Sequence, residues 1–169
     1  MKKIMLASKT TIAMFSILYC LGTYAQDTKK ADVEAIVKTL VESRQYKFMA
    51  QSATPQKGHT RQIDRGYDIK IMGDSISAYL PYMGRSYTGS YGTSEGPIQF
   101  KTNDFDYTST PNKKGWDVVV TPKNIRNARQ INMTIYSDAL MSVVVSSSGR
   151  DVMRFEGHIE YLKTDSLSH

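Results

Sequence analysis

The chain has 169 residues, with 22 Lys+Arg against 16 Asp+Glu, a formal net charge of +6 and a single cysteine. That length allows one domain with a substantial core, and one cysteine excludes an intrachain disulfide framework. The basic residues are scattered, with only short clusters such as Lys113-Lys114, so the charge carries no footprint of nucleic-acid binding.

Residues 1–25 read as a signal peptide. Lys2, Lys3 and Lys9 form a positive n-region, residues 11–22 are mostly apolar, and Thr23-Tyr24-Ala25 places small residues at the cleavage positions. The apolar run is too short to span a bilayer comfortably. Cleavage near Ala25 is therefore expected, ahead of a retained anchor. Lipid attachment at Cys20 is the less favoured route, because the bulky Tyr19 stands where small residues are wanted. Cleavage leaves about 144 residues, no cysteine and no transmembrane segment, and lowers the net charge to about +3. The expected location is the periplasm or the exterior.

Residues 27–43 predict one amphipathic helix. Val33, Ile36, Val37, Leu40 and Val41 fall on one stripe, with Asp32, Glu34, Lys38 and Glu42 off it. Asp27 or Thr28 can cap its start. The stripe suits docking on a sheet; a protein-interaction subunit using helix 27–43 is the alternative reading.

Beyond the helix the period changes to two. Tyr46, Phe48 and Ala50 alternate with Lys47 and Met49, and residues 55–58 form a turn. Tyr67, Ile69 and Ile71 then alternate with Asp68 and Lys70. With Gly73-Asp74 as a two-residue turn, Ile71 faces Ile76, Ile69 faces Ala78 and Tyr67 faces Leu80, so six apolar side chains share one face. Asp68 faces Tyr79 and Lys70 faces Ser77 on the other. Pro81 ends the strand or marks an edge. Further strands read at 100–108, 116–121, 131–136, 139–146 and 152–161, with turns at Asn112-Lys113-Lys114-Gly115, Ser137-Asp138 and Ser147-Ser148-Gly149. Trp116, Val118 and Val120 share a core face. This spacing implies one mainly β domain over 26–162, an antiparallel sandwich or partly closed barrel with one N-terminal helix. Residues 163–169 are Ser-rich and read as a disordered tail.

Catalytic constellations are incomplete. Gly73-Asp74-Ser75 followed by Ile76 resembles the nucleophile block of GDSL-type hydrolases, but the serine opens a strand and no Asp-x-x-His follows. Asp104 and Asp106 share a strand face without a third catalytic group. A hydrolase using Ser75 or the Asp104/Asp106 pair is thus the alternative, not the favoured reading. Glu156, His158 and Glu160 share a face but lack a second ligand-rich segment, so no metal and no cofactor is expected.

The stretch around 79–92 is the chief candidate for function. It carries Tyr79, Tyr82, Tyr87 and Tyr91 among Gly84, Gly89 and Gly92, with Arg85 between them. Tyrosine offers rigid contact area with a polar tip, and arginine offers a planar donor fork. Together they suit a small or extended ligand, planar, sugar-like or peptidic; an envelope protein is the other candidate partner. The alternative is that the tyrosines cover the open end of the sheet while Arg85 pairs locally.

The segments Gly66-Tyr67, Gly73-Asp74-Ser75, Tyr79-Leu80-Pro81-Tyr82-Met83-Gly84-Arg85-Ser86-Tyr87 and Tyr91-Gly92 resemble domain-of-unknown-function family 4251, small exported proteins of Bacteroides-group Gram-negative bacteria. Gly96-Pro97-Ile98-Gln99-Phe100, Gly115-Trp116, Gly149-Arg150 and Phe155-Glu156-Gly157 fit the same pattern, so the likeness runs from Tyr46 to Tyr161. Met83 stands where an aromatic is usual. The resemblance implies export and a compact domain, and no reaction, cofactor or catalytic residue.

Overall fold

The computed structural model describes residues 31–87 and 96–162. Helix α1 (31–43) is followed by ten strands: β1 (Gln45–Pro55), β2 (Arg61–Gln62), β3 (Asp68–Met72), β4 (Ser75–Leu80), β5 (Ile98–Thr102), β6 (Phe105–Asn112), β7 (Gly115–Pro122), β8 (Gln130–Tyr136), β9 (Leu140–Ser146) and β10 (Met153–Tyr161). The helix positions expected at 27–30, the signal peptide and the tail at 163–169 lie outside the described residues.

All strands join one antiparallel sheet in the order β5-β4-β3-β1-β10-β9-β8-β7-β6, with β2 added on β1. The sheet curls into a half-barrel. Both edges belong to one stretch of chain: β5 pairs with β4, and after Asn103-Asp104 the chain continues as β6 along β7. Counting antiparallel neighbours across the sheet, β5 and β6 run the same way. The expected strand at 100–108 is therefore one path broken where it changes partner. Pro111, which cannot donate a ladder hydrogen bond, falls on this edge.

The concave side holds the core. Tyr46, Phe48, Ile69, Ile71, Ile76, Leu80, Val118, Val120, Met133, Val143 and Phe155 are all at most 1% exposed. From α1, Val37, Leu40 and Val41 bury into the same core, and Val33 packs against it. Ile36 keeps 40% of its surface. The stripe that would have served a partner is thus mostly used by the domain itself. Arg44 ends the helix in the left-handed region at φ 53, and its carbonyl accepts the Gly73 amide at 2.8 Å. Its guanidinium lies 4.6 Å from the Tyr107 ring centroid, and the Tyr46 and Tyr107 hydroxyls meet at 3.2 Å. Burial raises the pKa of both phenols, most strongly that of Tyr46.

The β3–β4 hairpin has the register set by its apolar pairs: Ile71 opposes Ile76, Ile69 opposes Ala78, Lys70 opposes Ser77 and Asp68 opposes Tyr79. Gly73 has φ 67 while Asp74 is not in the positive-φ region, which matches a type II′ turn. Tyr67 departs from the expectation. It precedes the ladder, and its ring, half-buried and packed against the edge of the core, stacks on Tyr79 at 5.3 Å instead of facing Leu80 as a ladder partner. β1 runs five residues beyond the expected stretch, through Pro55, with a bulge at Gln51 where its register against β10 shifts.

Candidate functional site

Three loops converge at one rim of the half-barrel. The chain after β4 (81–87) meets the β9–β10 connection (147–152), which in turn meets the β1–β2 turn: Gln56 donates its amide to the Val152 carbonyl at 3.0 Å. Asp151 is the centre of this junction and is only 3% exposed. A buried carboxylate needs full hydrogen bonding. Asp151 receives it from the facing loop. The Tyr87 hydroxyl donates to Oδ1 at 2.6 Å, and the Arg85 amide donates to Oδ2 at 3.1 Å. In return the Asp151 amide donates to the Arg85 carbonyl at 2.9 Å and to the Tyr82 hydroxyl at 2.9 Å. That hydroxyl donates to the Arg85 carbonyl at 2.6 Å. Ser86 and Arg150 form an isolated antiparallel bridge, reinforced by the Tyr87 amide on the Gly149 carbonyl at 2.8 Å. Arg150 sits over the Tyr82 ring at 4.9 Å from its centroid.

The Tyr87 hydroxyl, followed by the Arg85 amide and the nearby Lys57 and Arg85 charges, holds the Asp151 pKa below the ordinary carboxylate value. The same bond raises the pKa of Tyr87. Gly84 makes the close approach possible. A Cβ at this position would lie 2.7 Å from the Tyr82 hydroxyl and 2.9 Å from the Asp151 Cβ.

The expected site residues therefore separate. Tyr82, Arg85 and Tyr87 come together on Asp151. Tyr82 is half-buried with its hydroxyl engaged in the clamp, whereas Tyr87 keeps 65% of its surface exposed. Arg85 is held by its main chain, and its exposed guanidinium makes no ion pair among the described residues. Tyr79 lies elsewhere, on the convex face of β4, stacked on Tyr67 above a shallow 330 Å³ depression with Lys70, Gln99 and Lys101. Tyr91 lies outside the described residues. Asp151 itself has no periodic or motif signal in the sequence.

Other expected groups fall into ordinary surroundings. Ser75 opposes Met72 beside the hairpin turn. Lys123 lies between both carboxylates of the acidic pair, 3.7 Å from Asp104 and 3.2 Å from Asp106, and its own pKa is raised by them. His158 and Lys47 both engage Glu160, at 2.9 and 3.0 Å, and lower its pKa, His158 contributing most. His158 and Glu160 border a 680 Å³ groove on the convex face, with Gln51 at the bulge and Ile63 and Arg65 among its other lining residues. Among the described residues, no group of three His, Cys, Asp or Glu side chains is placed to hold a metal ion. No helix there is long and apolar enough to cross a membrane.

A curled single sheet closed by a helix, with one rim fastened by a tyrosine–aspartate clamp, defines a small β-rich domain of the half-barrel kind. The sequence model described as "Domain of unknown function (DUF4251)" matches residues 28–159, and the chain belongs to this family. The crystal structure of a DUF4251 family protein from Bacteroides eggerthii DSM 20697 is similar, with a TM-score of 0.55 at 14% identity, over 78% of this chain and 89% of that one. At that identity the likeness speaks for the fold alone. No curated protein matches the chain.

Proposed function

We propose that this chain is an exported, non-catalytic recognition module that works in the periplasm after cleavage near Ala25, and that Arg85 and Tyr87 present its binding surface. One observation carries the reading. A buried carboxylate fixes both the backbone of Arg85 and the hydroxyl of Tyr87, yet the guanidinium and most of the aromatic ring remain in solvent. A ring held in place before binding loses little conformational entropy when a ligand arrives, and the Arg85 side chain extends beside it from a fixed backbone. The ring offers a flat face for a sugar or peptide side chain, and the guanidinium offers a fork for a carboxylate or other acceptor. Tyr82 acts behind them as the support.

The test is a binding screen of envelope-derived saccharides and peptides by isothermal titration. Arg85→Ala and Tyr87→Ala each weaken the best ligand by about tenfold or more. Unchanged affinity in both variants, with the fold intact by circular dichroism, would remove the rim from consideration.

A further inference from the structure

A further cavity opens where the β7–β8 loop meets the β9–β10 connection, and it has a different chemistry. The β7–β8 loop (123–129) reads Lys123-Asn124-Ile125-Arg126-Asn127-Ala128-Arg129, with a cation at every third position. Lys123 is engaged by Asp104 and Asp106. Arg126 and Arg129 are exposed, and among the described residues neither guanidinium has an ion pair or hydrogen bond. Both line a cavity of 530 Å³ together with Thr121, Asn124 and Ser148. No carboxylate is among its lining residues.

The loop that carries these arginines is well fastened. The Arg129 amide donates to the Ser146 carbonyl at 2.7 Å, and the Ser148 amide donates to the Arg126 carbonyl at 3.1 Å. The Ser147 hydroxyl donates to the Asn127 carbonyl at 2.6 Å. Ala128 is fully buried, and Asn124 takes the turn at φ 60. Two guanidinium groups that share a cavity without a counter-charge repel each other and focus a positive potential there. Two planar donor forks, two hydroxyls and an amide around one cavity match the acceptor-rich surface of a tetrahedral dianion.

We infer that the cavity between the β7–β8 and β9–β10 loops is a phosphoryl-binding site, with Arg126 and Arg129 as its charged ligands. The group arrives either on a soluble phosphomonoester or on an anionic lipid headgroup. The inference uses none of the residues assigned to the Arg85–Tyr87 surface and stands apart from it.

The test follows amide shifts of the full mature domain in two titrations. One uses inorganic phosphate; the other uses phosphatidylcholine vesicles with and without phosphatidic acid. Phosphate shifts the amides of 124–129 and Ser148, and Arg126→Gln/Arg129→Gln weakens this by about tenfold or more. Ser148→Asp, which sets a carboxylate in the cavity, has the same effect and serves if the double variant loses its fold. Association only with phosphatidic-acid vesicles assigns the headgroup as the source; a response to free phosphate assigns the soluble group. Arg85→Ala keeps the phosphate response, which separates this site from the other rim surface. An absence of response to both probes, or an equal response in the double variant and Ser148→Asp, overturns the inference.

Discussion

The Asp151 carboxylate fastens the rim by its side chain, beside the main-chain bonds that join the same loops. Its folded pKa is depressed, first by the Tyr87 hydroxyl and then by the Arg85 amide. A depressed carboxylate contributes stability that is fully present above its unfolded pKa, about 4, and is lost as pH falls through the lower folded value. Below about pH 4 the clamp therefore weakens. Acid titration followed by the amide signals of Arg85 and Tyr87 is expected to show these moving at lower pH than the exposed carboxylates titrate, and Asp151→Asn is expected to abolish that transition. Gly84→Ala acts on the same junction by sterics, since the Tyr82 hydroxyl and Asp151 must retreat from the new methyl group. It is expected to lower Tm by roughly 2–8 °C, as a loss of one to two kcal/mol does in a domain of this size. A Tm unchanged within error would mean that the loop gives way freely. None of this was legible in the sequence. Tyr82, Arg85 and Tyr87 were visible as an unusual cluster, but their partner lies 64 to 69 residues away, in a loop with no period to mark it.

At the scale of elements, apolar spacing was a good guide where it was uninterrupted. The β3–β4 register followed from pairs such as Ile71 and Ile76, because a shift by one residue would turn the buried set outward. β1 shows where the guide fails. Buried positions run 46, 48, 50, then 52 and 53, then 55, because the bulge at Gln51 resets the alternation. The strand therefore looked as if it ended at Ala50. Tyr67 misled in the opposite way, continuing the alternation on paper while lying beyond the ladder, half-buried and stacked on Tyr79. Helix α1 carried a stripe that fitted either a partner or the core. Leu40, at 4% exposure, decides for the core. Leu40→Ala is expected to cost about 2–5 kcal/mol, read as a lower urea midpoint at unchanged slope. A change below about 0.5 kcal/mol is the size of a surface substitution and would return the helix to partner binding.

At the scale of the molecule, the curl of the sheet places one stretch of chain on both edges, and this organises the stability of the whole. β1 and β10 lie in the middle, flanked on both sides and roofed on their concave face by the core. β5 and β6 each have one partner strand. Native-state hydrogen exchange is expected to give the slowest amides in β1, β9 and β10 and earlier opening in β5 and β6. Protection in β6 equal to that in β10 would mean that the edge is covered by something further. The same curl explains why function was harder to read than fold. Strands are set by local alternation, but Tyr82, Arg85 and Tyr87 meet Asp151 only when the chain after β4 and the β9–β10 connection come together at the rim.

The central claim, that this rim is the recognition surface, is tested most directly by mapping amide shift perturbations on the labelled protein as the best ligand from the binding screen is added. The perturbations are expected to centre on residues 82–87 and 149–152. Perturbations centred on Met49, Arg65 and His158, in the convex groove on the other side of β1, would contradict it.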